Sequence, residues 1–139
     1  MVGASASPFA ATVRGTADGL RILCVDDNPV CRRFLEVVLT RDGHIVTCAE
    51  DGQHALDRMA EDADAYDIVI TDHHMPRVDG YQLVQTLKRR QFAGAIVVIS
   101  AGLDDATATR YRALAVNAIL LKPVLVDRLR STINRYRRR

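Results

Sequence analysis

Short apolar runs alternate with amphipathic stretches along most of the chain. The runs are almost continuously apolar, which is typical of strands buried on both faces of a parallel sheet. The run at 45–48 is the most polar, so we predict that its strand lies at an edge of the sheet. In chain order the five predicted strands cover residues 22–25, 45–48, 68–70, 95–99 and 118–121.

A helical pattern follows each run. Four helices begin at a capping residue: Asn28 with Pro29 in the first turn, Asp51, Asp79 and Asp104. The helix after Asp104 has two β-branched threonines in its first turns and the weakest propensity. Strands and helices alternate as (βα)5, and short right-handed crossovers predict a doubly wound α/β sheet. The predicted inner faces carry Phe34, Val37 and Val38, then Ala55, Leu56 and Met59, then Leu83, Val84 and Leu87, then Tyr111 and Leu114, and finally Leu125, Leu129 and Ile133.

The length of 139 residues fits one domain, and 48% hydrophobic and 26% charged residues are typical of a globular protein. Residues 1–19 are small and lack a sustained period, so we predict a mobile N-terminal leader at 1–19 and one domain at 20–139. The net charge is only +2, and the basic residues 135–139 fit a solvated helix end. We therefore expect no direct contact with nucleic acid.

The cysteines indicate a reducing compartment. Cys24, Cys31 and Cys48 are odd in number and have no CxxC spacing, so we expect free thiols. No apolar run reaches membrane-spanning length, and no charged segment precedes an apolar stretch at the N-terminus. We predict a cytoplasmic protein without a membrane span.

Polar residues gather where the predicted strands end. The first strand is followed by Asp26 and Asp27, the third by Asp72, the fourth by Ser100 and the fifth by Lys122. The carboxyl ends of parallel strands lie along one edge of the sheet, where ligands bind at the switch point. We therefore expect three carboxylates, a hydroxyl and an ammonium to share one shallow pocket.

This set of groups fits phosphoryl transfer. Crowded carboxylates repel each other unless a cation lies among them, and oxygen ligands favour Mg²⁺. Lys122 can neutralise a further negative group, and Ser100 can donate a hydrogen bond to an anionic oxygen. An ionised aspartate can be the nucleophile directly and form an acyl phosphate.

Each of these residues also has an ordinary structural explanation. Asp26 or Asp27 could cap the next helix, Asp72 could be a turn residue, Ser100 a loop hydroxyl and Lys122 a solvated lysine. Each explanation is reasonable alone. Their joint occurrence at four strand ends favours the functional interpretation.

The stretch Asp-His-His-Met-Pro-Arg-Val-Asp-Gly at 72–80, taken with the residues above, resembles the receiver domain of two-component response regulators and hybrid sensor kinases over about 20–137. The resemblance implies a flavodoxin-like sheet in the order 2-1-3-4-5. It also implies that Asp72 is the phosphoacceptor. Mg²⁺ would be bound directly by Asp27 and Asp72, by Asp26 largely through water, and by the main-chain carbonyl of His74.

The resemblance extends to the remaining site residues and to the partners. Ser100 corresponds to the switch hydroxyl, and Lys122 and Pro123 to a Lys-Pro pair whose peptide bond is usually cis. The phosphoryl group would come from the phosphohistidine of a histidine kinase or phosphotransfer protein. The domain would catalyse its own phosphorylation and dephosphorylation and bind an output partner as a monomer or weak dimer, without being a turnover enzyme. With no output domain after the last helix, we expect a stand-alone regulator, a phosphate shuttle or a hybrid-kinase receiver.

Two positions depart from the family pattern. Ile119 stands where the family usually has a Tyr or Phe whose rotation accompanies switching, and Ala115 stands where glycine is common. Phosphoryl transfer should tolerate both departures. Because position 119 has no aromatic ring to rotate, the conformational signal must reach the fourth helix by a different route. The poor propensity of that helix makes it our candidate for the switching element. The alternative is a pseudo-receiver, a binding module that does not use its aspartate.

Other functional classes fit less well. A haloacid-dehalogenase-type phosphatase needs Asp-x-Asp, which Asp72-His73-His74 lacks. A nucleotide-binding site needs GxGxxG or GxxxxGK[ST], and neither motif occurs. A zinc site would have to draw on His44, His54, His73 and His74. Adjacent histidines on an extended loop point to opposite sides, and no cysteine pair joins them.

Overall fold

Five parallel strands form the sheet that the sequence predicts. The computed structural model describes residues 19–137, and its strands β1 to β5 are Arg21–Val25, Ile45–Ala49, Ile68–Asp72, Ala95–Ser100 and Ala118–Leu121. They pair in the order β2-β1-β3-β4-β5, which confirms the doubly wound, flavodoxin-like topology. The predicted leader at 1–19 lies outside the described residues except for Gly19, so the domain limits stay a prediction.

The edge position of β2 is also confirmed. It pairs on one side only, with β1, and Ile45 at its start is 47% exposed. The three inner strands are buried along almost their whole length. Continuous apolar runs therefore correspond to strands covered on both faces, and the more polar run to the strand at the border.

Helices cover both faces of the sheet. They are α1 (Pro29–Arg41), α2 (Gly52–Glu61), α3 (Gly80–Arg89), α4 (Asp105–Ala113) and α5 (Val126–Asn134), with a 3₁₀ turn at Ala63–Ala65. Alternate strand residues pack on α1 and α5 in one hydrophobic cluster and on α2, α3 and α4 in the other. None of the helices within residues 19–137 is both long and apolar enough to cross a membrane.

The predicted caps are present. The Asn28 side chain accepts hydrogen bonds from the main-chain N–H groups of Val30 and Cys31, and Asp51 and Asp104 cap α2 and α4 in the same way. Asp79 forms a capping box with Gln82 at the start of α3. These caps fix where each helix leaves the carboxyl edge of the sheet.

Two predicted helix faces are partly wrong. In α1, Val38 is buried as expected, but Leu35 and Leu39 complete the buried face, and Phe34 and Val37 are only half-buried. In α5, Leu129 and Ile133 are buried, whereas Leu125 is 69% exposed. The helix begins at Val126, so Leu125 occupies the N-cap position and its backbone is extended rather than helical.

Ala115 follows α4 with a left-handed backbone, at φ 57°. An L-residue with a Cβ pays roughly 1–2 kcal/mol for this conformation, which glycine adopts freely. The left-handed backbone at position 115 explains why glycine would be favoured there.

We predict that Ala115→Gly raises the free energy of unfolding by about 1 kcal/mol, since relief of the strain outweighs the added freedom of the unfolded chain. Ala108→Gly in the middle of α4 is the matched control and should lower it by up to about 1 kcal/mol. Urea denaturation followed by circular dichroism measures both. Equal destabilisation by the two substitutions would contradict the assignment of strain to Ala115.

Candidate functional site

The carboxyl edge of the sheet gathers the acidic residues singled out from the sequence. Asp26 and Asp27 follow β1, and Asp72 is the last residue of β3. The register pairs Val25 with Thr71, so the next residues on the two strands are neighbours. Each of the three aspartates has a carboxylate oxygen within 4.8 Å of those of the other two.

Lys122 reaches this acidic group from the far side of β4. Its Nζ lies 3.0 Å from Asp26 Oδ2 and 3.3 Å from Asp72 Oδ1. Its main-chain N–H donates to the Ser100 carbonyl at 2.8 Å, which fixes the residue beside the end of β4. The peptide bond between Lys122 and Pro123 is cis.

The three aspartates differ in how firmly the protein holds them. Asp26 is 1% exposed; its Oδ1 accepts the Asn28 N–H at 2.9 Å, and its Oδ2 accepts from Lys122. Asp72 is 6% exposed and contacts Lys122 through one oxygen. Asp27 is exposed at the rim. One carboxylate is thus fully engaged, whereas the other two offer oxygens to a ligand.

The electrostatics show an excess of negative charge. Burial raises the pKa of Asp72, the nearby Asp26 raises it further, and Lys122 offsets only part of this. Burial would lower the pKa of Lys122, but its hydrogen bond to Asp26 and the charges of Asp26 and Asp72 raise it overall. The lysine therefore stays charged, and the site still favours a further cation. Three carboxylates and no soft ligand are the donor set that fits Mg²⁺.

Ser100 ends β4 and is completely buried. Its hydroxyl donates to the Gly102 carbonyl and accepts the Gly102 N–H, both at 3.1 Å. The hydroxyl is therefore held by its own loop in this conformation. Ile119, the other predicted switch residue, is half-buried in β5 and packs on the α2, α3 and α4 side of the sheet.

The histidines do not form a metal site within residues 19–137. The acidic group is the one cluster there of three or more potential ligands, and it contains no histidine. His44 is buried near the start of β1, where its Nδ1 accepts the Leu20 N–H at 3.0 Å. His54 lies in α2 near the Glu50 N–H. The zinc alternative is therefore not supported.

His74 and His73 take different positions. His74 is exposed and lines the open depression above the acidic group. His73 turns away, and its Nδ1 lies 2.5 Å from the hydroxyl oxygen of Tyr111 in α4. Burial lowers the pKa of His73 and raises that of Tyr111, so burial favours the neutral form of both rings, and the imidazole tautomer sets which of the two groups donates. The sequence analysis missed this contact, because no spacing links residues in separate elements.

A second contact missed from the sequence fixes the loop after β3. Asp51, which caps α2, also accepts from the Arg77 guanidinium, with Nη2 at 2.5 Å and Nε at 3.2 Å. The Gly52 N–H donates to the Val78 carbonyl at 3.2 Å. These bonds tie the loop that carries His74 to the start of α2.

Comparison with known proteins identifies the family of this chain. A family model described as the response regulator receiver domain matches residues 22–134. A two-component response regulator of rice, Oryza sativa subsp. indica (ORR23), is 36% identical over 115 residues, which are 81% of this chain and 16% of that protein. The sensory/regulatory protein RpfC of Xanthomonas campestris pv. campestris is 33% identical over 124 residues, which are 86% of this chain and 17% of that protein.

The chain thus spans less than a fifth of the length of these two relatives. Among solved structures, the chemotaxis protein CheY4 of Vibrio cholerae matches with a TM-score of 0.78 over 85% of this chain and 98% of that chain. At 23% identity, this similarity concerns the fold alone. The family model covers most of the chain, and with it the acidic group, Ser100 and Lys122. The chain therefore belongs to the receiver-domain family of two-component response regulators and hybrid kinases.

Proposed function

We propose that this receiver domain accepts a phosphoryl group on Asp72 from the phosphohistidine of a histidine kinase or phosphotransfer protein. The observation that carries the proposal is the grouping of three carboxylates around the Lys122 ammonium at the open edge of the sheet. Here the pKa of Asp72 is raised by burial and by Asp26, which is a typical property of reactive groups.

The reaction needs no general base. An ionised Asp72 oxygen attacks phosphorus, a P–O bond forms, and the P–N bond of the donor breaks with its electron pair left on the imidazole. The product is an acyl phosphate. Hydrolysis by water returns the carboxylate and inorganic phosphate, and we propose that the same site promotes this dephosphorylation.

The donor set assigns which residues would hold Mg²⁺. Asp27 and Asp72 have carboxylate oxygens to offer, and His74, whose main-chain carbonyl would be a further ligand, lines the same depression. Both oxygens of Asp26 already accept hydrogen bonds, so Asp26 fits an indirect role through water. When bound, the ion supplies positive charge beside the phosphoryl oxygens.

Lys122 and Ser100 provide the other contacts to the phosphoryl group. The Lys122 ammonium, already 3.3 Å from Asp72, compensates the charge that the transferred group adds. The Ser100 hydroxyl can exchange its bond to Gly102 for a bond to a phosphoryl oxygen by rotation about one side-chain torsion. That exchange would make Ser100 sensitive to phosphorylation.

An apolar groove next to the site fits the protein that donates the phosphoryl group. Val30, which is 76% exposed, lines it with Phe34 of α1 and with Pro123 and Val124 after β5, and Asp26 and Lys122 of the acidic site line it too. An exposed apolar surface that continues into a reactive site is typical of a protein contact. We propose that the phosphohistidine-bearing partner binds here, with its histidine toward Asp72.

Acetyl phosphate with Mg²⁺ tests the phosphoacceptor directly. We predict a mass gain of one phosphoryl group in the intact chain, lost in Asp72→Ala and prevented by a chelator, because the carboxylate is the nucleophile. Asp64→Ala, at an exposed aspartate in the 3₁₀ turn before β3, is the control and should still be phosphorylated. No mass gain in the unsubstituted chain would favour the pseudo-receiver, and a mass gain in Asp72→Ala would identify a different acceptor.

We predict that Lys122→Met slows phosphorylation by acetyl phosphate about a hundredfold, the scale expected for loss of one positioned charge contact. Ser100→Ala should cost less, because its hydroxyl is held by Gly102 before reaction. Lys88→Met, at the exposed amine that contacts the Ala115 carbonyl, is the control for losing a lysine. Rates are measured by mass spectrometry over time. An unchanged rate in Lys122→Met contradicts the role given to its charge.

Asp72→Asn should stabilise the chain at neutral pH in the absence of divalent ions. The pKa of Asp72 is raised on folding, so ionisation lowers the stability as pH rises from the ordinary value of 3.8 through the raised value. The gain from Asn should thus be full at about pH 7 and shrink toward about pH 4. Urea denaturation measures it, with exposed Asp64→Asn as the control. A less stable Asp72→Asn at neutral pH would refute the charge crowding.

Val30→Asp should separate the partner groove from the chemistry. We predict at least about a tenfold loss in phosphotransfer from a phosphohistidine-containing phosphotransfer protein, because a charge replaces an apolar contact. The rate with acetyl phosphate should not change. Thr40→Asp, at an exposed position elsewhere on α1, is the control. If Val30→Asp loses activity equally with both phosphoryl donors, the groove is not the partner site.

A further inference from the structure

His73 connects three elements directly beside Asp72. Its main-chain N–H donates to the Ile99 carbonyl of β4 at 3.0 Å, and its carbonyl accepts the Gly80 N–H at the start of α3 at 2.9 Å. Its imidazole meets Tyr111 of α4. The junction is tightly packed, because a Cβ at Gly80 would collide with the Asp72 carbonyl oxygen, the His73 Cα and the Tyr111 hydroxyl. A displacement of the Asp72 main chain must therefore reach these neighbours.

Tyr111 is the main anchor of α4. It is the one buried residue of that helix, and it is completely covered. The rest of α4 is exposed or half-buried, and it includes the β-branched residues Thr107 and Thr109, which have poor helix propensity. The position of α4 on the sheet thus depends on how Tyr111 is held, and its hydroxyl is held by His73.

A continuous series of rings extends from the site to the surface of α4. His74, which lines the depression above Asp72, lies 4.7 Å from His73 between ring centroids, and His73 lies 5.4 Å from Tyr111. Tyr111 contacts Tyr81 of α3 at 5.5 Å, and the Arg110 guanidinium lies 4.0 Å above the Tyr81 ring. The energy of an edge-to-face contact depends on ring orientation, so a shift of one ring changes its contact with the next ring.

We propose that Tyr111 is a positioning residue that couples Asp72 to α4 through its hydrogen bond to His73. The inference rests on the proposed phosphorylation of Asp72, which adds charge and three acceptor oxygens at the end of β3. Any resulting movement of His73 changes the strength of its hydrogen bond to Tyr111, the one buried residue of α4. Two arrangements of α4, one with the hydrogen bond to His73 and one without it, then differ in population between the free and phosphorylated chain.

The test compares α4 with and without phosphorylation in variants of the 139-residue chain. Hydrogen–deuterium exchange of peptides covering 105–113 is followed with and without acetyl phosphate and Mg²⁺, and intact mass gives the phosphorylated fraction in the same samples. The variants are Tyr111→Phe, which removes only the hydroxyl, His73→Leu, which removes the imidazole, and the two combined. Tyr81→Phe is the matched control, because it removes a hydroxyl from the same ring series.

We expect α4 of the unphosphorylated Tyr111→Phe chain to exchange roughly fivefold faster, the factor that corresponds to one lost hydrogen bond. At equal phosphorylated fraction, Tyr111→Phe and His73→Leu should each lose most of the phosphorylation-dependent change in α4. The double variant should lose no more than either one, because both act on the same bond. Tyr81→Phe should retain the change.

Two results would overturn the coupling while leaving the phosphoacceptor proposal intact. One is an unchanged α4 response in Tyr111→Phe, and the other is an unsubstituted chain that gains the phosphoryl group without any change in α4. Additive losses in the double variant would likewise overturn it, since they mean separate routes. An unsubstituted chain that gains no phosphoryl group would overturn both proposals. Exchange in peptides from β1 and β3 reports whether each variant is folded.

Discussion

The crowding of three carboxylates around one ammonium is the constraint on which the site depends. Asp26 is buried and paired, Asp72 is buried and only partly compensated, and Asp27 stays at the rim. Lys122 compensates the first two only because the carboxyl ends of β1, β3 and β5 lie along one edge. Parallel topology, the loop after β5 and the engaged oxygens of Asp26 are all needed to hold this balance. Because the site keeps an excess of negative charge, it favours the binding of a cation.

The end of β3 is also bonded to the elements around it. The residue after Asp72 is bonded to β4, to the start of α3 and to the tyrosine that anchors α4. The loop that follows is tied to α2 through Arg77 and Asp51. The end of β3, which carries the proposed phosphoacceptor, is therefore bonded to several elements, whereas α4 packs through a single buried residue.

Much of this could be predicted from the sequence because the relevant signals are local. Continuous apolar runs report strands covered on both faces, and Asn28, Asp51, Asp79 and Asp104 mark helix starts. Polar residues that follow buried runs must meet at one edge once the sheet is parallel. The outward orientation of Leu125 was missed because helical spacing does not reveal where the helix begins. The contacts from Tyr111 to His73 and from Arg77 to Asp51 join distant segments, and only the packed fold brings them together.

The most direct test of the central claim is to locate the phosphoryl group on the chain. Borohydride reduces an aspartyl phosphate to homoserine, so peptide sequencing by mass spectrometry after treatment with acetyl phosphate, Mg²⁺ and borohydride identifies the acceptor. Our account predicts homoserine at position 72 and aspartate unchanged at positions 26 and 27. Homoserine at either of those positions, or its absence from 72 in a chain that has gained the phosphoryl mass, would contradict it.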